Sequence, residues 1–199
     1  MRIIGGSAKG RKLFSPPSGS KAIRPTSDRA REALFNIIGT KVVDSIVLDL
    51  YAGTGAFGCE ALSRGAAKVY LIDHARISVD LIRNNISLVP GGTQKSTVVK
   101  SDLSRGFTQA CLTRLEKHRF NLVFADPPYL TELSSKILSA LDDSAVLSSD
   151  PLIIIEERKN FAPPEKLQKL YLKDSRNYGE STFYFYGSTA SKPKNRIIQ

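Results

Sequence analysis

The chain has 199 residues, of which 41% are hydrophobic and 24% charged, so it is long enough and apolar enough for one domain with a full core. It contains two cysteines, Cys59 and Cys111, and neither has a metal-ligand spacing to His74 or His118. A zinc site and a disulfide framework are therefore disfavoured, and a reducing compartment is favoured. No apolar run approaches the length of a membrane span, and the first residues lack a signal-like apolar region. We expect a cytoplasmic protein without a membrane or metal requirement.

The net charge of +10 is concentrated at the two ends of the chain. Residues 1–41 contain nine Lys and Arg against two acids, and residues 188–199 contain three against none, whereas the middle has seventeen of each sign. Such a basic arm is either a solvated surface or a binding surface for a polyanion. Its concentration in one segment favours nucleic acid as the partner.

In chain order, a Ser/Pro/Gly-rich break at 15–20 precedes a helix at 27–38, and strands and helices then alternate. The predicted strands lie at 45–51, 68–73, 96–101, 120–126, 151–158, 167–174 and 181–187, and the further helices at 56–65, 75–89, 103–118 and 131–143. The first, fourth and fifth strands are continuous apolar runs, which is typical of parallel strands buried on both faces. The last two strands are expected to form an antiparallel hairpin. The pattern predicts a doubly wound α/β sheet.

Four successive strands end at, or lead into, an acidic residue. The acids are Asp49, followed by a glycine loop, then Asp73, Asp102 after Ser101, and Asp126. One acid at a strand end is usually a helix cap or a turn residue. Because the carboxyl ends of parallel strands form the ligand crevice of a doubly wound sheet, four acids in this position predict a binding site.

The glycine loop by itself is ambiguous, because Gly53, Gly55 and Gly58 match the fingerprint of a dinucleotide-binding enzyme. A nicotinamide-dependent oxidoreductase is therefore one alternative. Asp49, however, lies four residues before the first glycine, where a carboxylate suits an ammonium group and repels a phosphate. S-adenosylmethionine, whose amino acid moiety carries an ammonium group, fits the loop better.

Three of the four acids can be matched to parts of S-adenosylmethionine. Asp49 would pair with the ammonium group, directly or through water, and the carboxylate of the ligand would approach the loop amides at Gly53 and Gly55. Asp73 would accept the ribose hydroxyls and Asp102 the adenine amine. The candidate cofactor-binding residues are Asp49, Ala52, Gly53, Gly55, Asp73, Ser101 and Asp102.

Several stretches together resemble one known family. The stretches are "RIIGG" with "KGRKL", "RPTSDRAREALFNI", "DLYAGTGAFGCEALSRGA" and "ADPPY". In this order they are similar to the RsmD family of 16S rRNA guanine-N2 methyltransferases, which are class I, Rossmann-like enzymes. The resemblance implies a seven-stranded sheet of order 3-2-1-4-5-7-6 with the last strand antiparallel, and a small N-terminal extension. The sequence departs from the family at Asp73, where glutamate is more usual, and at Tyr51, Phe57 and Cys59, which replace common apolar residues.

The "DPPY" stretch is the part that bears on the reaction. The family implies methylation of the exocyclic N2 amine of a guanine, and such an amine is a poor nucleophile because its lone pair is delocalised. We expect Asp126 and a backbone carbonyl of Pro127-Pro128 to accept its two N–H groups, so that the lone pair faces the methyl donor. The prolines would hold these acceptors rigid, and Tyr129 would stack on the extruded base.

The predicted domains are a basic extension at 1–40 (a hairpin-like segment plus a helix), a methyltransferase domain at 41–187 and a basic tail at 188–199. The expected partner is 16S rRNA or a small ribosomal subunit particle, bound by a monomer. Alternatives are an amino-methyltransferase acting on another RNA, on DNA adenine or on a protein amide, and a non-catalytic RNA-binding module. The candidate RNA-binding residues are Lys9, Arg11, Lys12, Arg24 and Arg29.

Overall fold

A seven-stranded sheet is the centre of the computed structural model, which describes residues 1–16, 27–104, 107, 111, 115, 117–128, 132–159 and 161–191. Its order is β3-β2-β1-β4-β5-β7-β6. The first five strands pair in parallel, and β7 runs antiparallel to both of its neighbours. The predicted strand order and the antiparallel last strand are confirmed.

The helices and strands alternate as the sequence indicates. The strands are β1 (Ile46–Leu50), β2 (Lys68–Asp73), β3 (Ser96–Lys100), β4 (Phe120–Ala125), β5 (Leu147–Arg158), β6 (Leu170–Tyr178) and β7 (Ser181–Ser188). The helices are α1 (Asp28–Ile38), α2 (Ala56–Ser63), α3 (Arg76–Ser87) and α4 (Leu133–Asp143). Within the predicted helix at 103–118, Cys111 and Leu115 are described as helical, and both are buried.

Two strand boundaries differ from the prediction. β5 begins four residues earlier than expected, because Leu147 and the polar residues 148–150 extend the strand ahead of its apolar run, next to a register shift in its pairing with β4. β6 is displaced toward the turn at Gly179, because antiparallel pairing with β7 continues up to Tyr178 opposite Ser181. Almost every residue of β6 is partly or fully exposed, so its position is harder to predict from the sequence than that of a buried apolar strand.

The sheet buries a core on each face. On one face α1, α2, α3 and the first fourteen residues cover β1 and β4, with Val47, Leu122 and Ile154 among the buried residues. On the other face α4, together with Cys111 and Leu115, covers Leu48 and its neighbours in the sheet. No helix in the described part of the chain has both the length and the apolar character needed to cross a bilayer.

The first fourteen residues form a short hairpin, called here the N-terminal hairpin (residues 1–14). Its two limbs meet at an antiparallel bridge between Arg2 and Lys12, and a 3-10 turn, Gly6–Ala8, forms its tip. Gly6 has φ +76, and a Cβ atom there would lie 1.8 Å from the carbonyl oxygen of Ser63, so only glycine allows the tip to approach α2 this closely.

A buried carboxylate fixes the hairpin to α2. Glu60 is 0% exposed and accepts backbone N–H groups of Ile4 and Gly5 at 2.7 and 2.8 Å. The same carboxylate pairs with Arg64 at 2.7 Å and with Arg31 of α1 at 3.8 Å. The hairpin and α1 thus share a core with the sheet, while the predicted division of the chain at residue 40 stays a prediction.

Candidate active site

The glycine loop between β1 and α2 is built from unusual backbone conformations. Tyr51, Gly53 and Gly55 have φ of 56, 55 and 74, in the left-handed region that favours glycine. Tyr51 is strained there, and its hydroxyl donates to the carbonyl of Leu103 at 3.2 Å, which ties the loop to the end of β3. The loop therefore reverses the chain tightly at the carboxyl edge of the sheet.

Asp49 lies beneath this loop rather than on its surface. It is 1% exposed, and its Oδ2 accepts the N–H of Gly58 in α2 at 3.1 Å. Burial raises the pKa of Asp49 to about 8, against the lowering effect of the Gly58 bond and with a smaller raising effect from the charge of Asp73. A cation placed beside Asp49 would favour the ionised carboxylate, as the ammonium group of the predicted cofactor would.

Asp73, at the end of β2, holds two loops in place. Its Oδ2 accepts the N–H of Gly53 at 2.9 Å and its Oδ1 accepts the N–H of Ala75 at 2.9 Å. The Gly53 amide therefore has a protein partner, and the Gly55 amide donates to Ala52 at 2.7 Å. Because each carboxylate oxygen has two lone pairs, Asp73 retains acceptor capacity toward a ligand.

The end of β3 contributes two more exposed residues, Ser101 and Asp102. The N–H of Ser101 donates to the main-chain carbonyl of Asp73 at 3.0 Å, which places the two strand ends side by side. Asp102 is exposed, and its Oδ1 accepts the N–H of Ser104 at 2.9 Å. The four predicted acids do meet at one edge, at depths that range from the buried Asp49 to the exposed Asp102.

Asp126 follows β4 at the same edge. Its N–H donates to the carbonyl of Leu50 at 3.4 Å, the side chain is half-buried, and Pro127 is buried while Pro128 is exposed. Burial raises the pKa of Asp126 well above its ordinary value, and the charges of Glu156, Asp49 and Glu157 raise it further. Tyr129 lies outside the described residues, so its predicted role stays a prediction.

A fifth strand end also carries acids, which the sequence interpretation did not use. Ala125 of β4 pairs with Ile155 of β5, so Asp126 and Glu156 come next on adjacent strands. Glu157 accepts the Ser134 hydroxyl at 2.7 Å and thereby joins β5 to the first turn of α4. The signal was present in "IIIEE" (153–157), where an apolar run leads into acids as in the four earlier strands.

Three aromatic rings form a layer behind the end of β4. Phe57 of α2 stacks on Phe124 with ring centroids 4.2 Å apart and an interplanar angle of 12°. Phe35 of α1 follows at 5.0 Å from Phe57. Phe124 is two residues before Asp126, so this packing stiffens the strand that positions the carboxylate.

The predicted RNA-binding residues are separate from the acids. Lys9, Arg11, Lys12 and Arg29 are exposed, and the guanidinium of Arg11 donates to the carbonyl of Leu88. Lys9 follows the hairpin tip at the far end of α2, and the eight residues of that helix span about 12 Å. Arg24 lies outside the described residues.

The residues at the strand ends suit S-adenosylmethionine by the chemistry of their donor and acceptor groups. A buried carboxylate lies below the loop without a cation partner among the described residues, and acceptors for hydroxyl and amine groups follow on the next two strands. In the part of the chain that the structure describes, no three His, Cys, Asp or Glu side chains are grouped so as to hold a metal ion.

Comparisons with known proteins agree with this arrangement. A family model described as "Conserved hypothetical protein 95" matches residues 1–187. "Ribosomal RNA small subunit methyltransferase D" of Escherichia coli K12 is 40% identical over 157 residues, which are 78% of this chain and 74% of the relative. The protein of the same name from Haemophilus influenzae is 32% identical over 164 residues, 80% of each chain.

Solved structures give the same result. The yhhF structure of Escherichia coli superposes with a TM-score of 0.77 at 31% identity and covers 94% of this chain and 97% of that one. SMU.776, solved in complex with S-adenosylhomocysteine, has a TM-score of 0.63 at 18% identity over 82% of this chain and 50% of that one, which shows the shared fold. The chain therefore belongs to the ribosomal RNA small subunit methyltransferase D family of S-adenosylmethionine-dependent methyltransferases, as its motifs predict.

Proposed function

We propose that the protein methylates the exocyclic N2 amine of a guanine in 16S rRNA, in a small-subunit particle, with S-adenosylmethionine as the methyl donor. The observation that carries the proposal is the half-buried Asp126, held by a buried proline at the same sheet edge as Asp49, Asp73 and Asp102. Membership of the family supports the RNA substrate class.

In this proposal the cofactor lies along the carboxyl ends of β1, β2 and β3. Asp49 neutralises the ammonium group, the start of α2 faces the carboxylate with its helix N-terminal N–H groups, and Asp73 accepts the ribose hydroxyls. Ala52 and Ser101 line the positions between these acids, and Asp102 receives the adenine amine. S-adenosylmethionine supplies an electrophilic methyl group on sulfur.

Asp126 acts on the amine of the base. Its carboxylate and a carbonyl of Pro127-Pro128 accept the two N–H groups, which turns the nitrogen lone pair toward the methyl group. As the N–C bond forms, the S–C bond breaks and S-adenosylhomocysteine leaves with the electron pair. The nitrogen then loses one proton to Asp126 or to water, and the raised pKa of Asp126 suits it to take that proton.

The RNA is held mainly through its phosphates. Lys9, Arg11, Lys12 and Arg29 are exposed on the N-terminal hairpin and α1, and Arg24 is assigned to the same surface from sequence. The hairpin tip lies at the far end of α2 from the acid-lined pocket, and the basic arm would hold the RNA backbone there while the base enters the pocket. Tyr129 would stack on the extruded base.

The test is identification of the product. Purified protein, labelled S-adenosylmethionine and unmethylated small-subunit rRNA, either naked or assembled into particles, are incubated, and the RNA is digested to nucleosides. Mass spectrometry should find N2-methylguanosine, with more transfer to the assembled particle. Label in another nucleoside, in duplex DNA or in a protein amide would overturn the guanine assignment, and absence of transfer to any substrate would overturn the enzymatic one.

A further inference from the structure

Asn85 is a buried polar residue in the middle of an apolar stripe of α3. It is 0% exposed, and it lies one turn after Ile82 and next to Ile86, which are both core residues. A buried amide is costly unless its polar groups are bonded. Its position therefore requires specific partners.

The partners of Asn85 come from two different regions. Its Oδ1 accepts the N–H of Phe14 at 2.7 Å, and its Nδ2 donates to the carbonyl of Phe14 at 3.0 Å. The Nδ2 also donates to the carbonyl of Thr54 at 2.8 Å. Only one orientation of the amide satisfies one N–H donor and two carbonyl acceptors, so the partners fix it.

Thr54 lies between Gly53 and Gly55 in the glycine loop, and both glycines have left-handed φ. Glycines allow the loop many alternative conformations, and the loop is held at successive points by Asp73 on the Gly53 N–H and by Asn85 on the Thr54 carbonyl. Phe14 is the last residue of the N-terminal hairpin, so Asn85 braces the loop against that hairpin.

We propose that Asn85 is a positioning residue for the cofactor, and that it acts by holding the Thr54 carbonyl and the N-terminal hairpin in one hydrogen-bonded unit. The cofactor affinity then depends on a side chain that does not itself touch the cofactor. This inference rests on the proposed placement of S-adenosylmethionine against the glycine loop.

The experiment compares cofactor affinity, measured by calorimetry with S-adenosylmethionine, and thermal unfolding without cofactor. Asn85→Ala should raise the Kd by about tenfold or more, because a buried carbonyl loses its partner and the loop must be ordered during binding. Asn85→Leu has nearly the same shape, and its apolar side chain leaves the Thr54 carbonyl without a donor. It should also raise the Kd, and its matched shape keeps the test available should the alanine variant fail to fold.

Two control variants distinguish this positioning role from a general loss of stability. Asn84 is the neighbouring asparagine of the same helix and is exposed, so Asn84→Ala should bind the cofactor like the wild type. Ser63 also fixes the hairpin, through Ala8 at 2.9 Å and Gly5 at 2.6 Å, and has no bond to the glycine loop. Ser63→Ala should lower the unfolding temperature while the Kd stays close to wild type.

Wild-type affinity in both Asn85 variants would overturn the inference. So would an affinity loss in Ser63→Ala as large as that in Asn85→Ala, because the effect would then pass through the hairpin as a whole. Asp49→Ala and Gly53→Val test the placement itself. If those two variants keep their affinity, the proposed cofactor site is wrong; if they lose it while the Asn85 variants do not, only the role of Asn85 is wrong.

Discussion

The pocket at the strand ends and the N-terminal hairpin use charge in opposite ways. In the pocket Asp49 and Asp73 are buried, and the pKa values of Asp49 and Asp126 are raised by burial. In the hairpin the cations Lys9 and Lys12 are exposed to solvent, while the backbone that carries them is fixed by buried side chains.

Because of this difference, the two regions should respond to different solution conditions. A desolvated carboxylate is sensitive to pH and to a neighbouring cation, and salt screens it little. A solvated lysine on a fixed backbone keeps its charge across neutral pH, and its attraction to phosphates falls with salt. The pocket should therefore be tuned by pH and the hairpin by ionic strength, and each prediction below tests one side of this contrast.

The largest effect is expected on RNA affinity. If six or more cations contact phosphates, the affinity should fall by about 10³ between roughly 50 and 200 mM salt, and each lost contact should lower the logarithmic salt slope by about 0.9. Charge reversal at Lys9, Arg11 and Lys12 should flatten that slope and raise the apparent KM, with the cofactor Kd unchanged.

A variant with the charge of three lysines reversed on the opposite side of the molecule serves as the control. Lys136, Lys166 and Lys173 are exposed on α4 and at the β6 edge, far from the hairpin in the sheet order. If the control variant lowers the salt dependence of RNA affinity as much as the hairpin variant does, the RNA-binding surface lies elsewhere. A flat salt response in the wild type would contradict a phosphate-dominated partner.

The next effect is on the chemical step. Asp126→Ala should lower kcat by about 10²–10³, the range for removing one group that stabilises the transition state, with cofactor affinity nearly intact. Single-turnover transfer with labelled cofactor measures the step directly. Asp80→Ala is the control, because Asp80 is an exposed acid of α3 whose ion-pair partners, Arg76 and Arg83, belong to the same helix. Near-normal turnover in Asp126→Ala would rule out the orienting role.

The pH response of the pocket should be smaller. Without cofactor, Asp49 is protonated below about pH 8, and pairing with the ammonium group lowers its pKa, so binding releases a proton. Affinity should therefore rise with pH, by up to about tenfold per unit between roughly pH 5.5 and 7.5. Calorimetry in two buffers of different ionisation enthalpy detects the proton, and an affinity independent of pH would contradict the role of Asp49.

Much of the fold follows from the sequence because buried parallel strands are apolar on both faces. β1, β2 and β4 match their predicted ranges within a residue, and glycine and acid positions locate the pocket edge. β6 was misplaced because a half-exposed edge strand has a weaker pattern and its register is set by β7.

The parts of the site that were missed depend on contacts between distant segments. In the sequence Glu60 is one acidic residue in a predicted helix, but in the structure it accepts the backbone N–H groups of residues 4 and 5. Asn85 carried a signal, since a polar residue interrupts an apolar stripe, but its partners Phe14 and Thr54 could not be read from spacing. The local sequence pattern predicts which face of a helix or strand a residue occupies. Only the folded structure shows which backbone groups its side chain bonds.

The smallest predicted effect tests whether buried polar groups fix the hairpin backbone. Ser63→Ala removes two hydrogen bonds, from Ala8 and to Gly5, and should lower the free energy of unfolding by about 1–3 kcal/mol. Ser87→Ala is the matched control, because its hydroxyl bonds only the Asn84 carbonyl at the surface, and its effect should be within about 0.5 kcal/mol. Urea unfolding measures the stability of both variants, and hydrogen exchange at Ala8 should speed up only in the Ser63 variant.

Because the cations of the hairpin stay exposed, the salt dependence of RNA affinity should change little in either variant. Equal stability of the two variants would mean that the apolar contacts of Ile3 and Leu13, rather than the buried polar bonds, hold the hairpin in place.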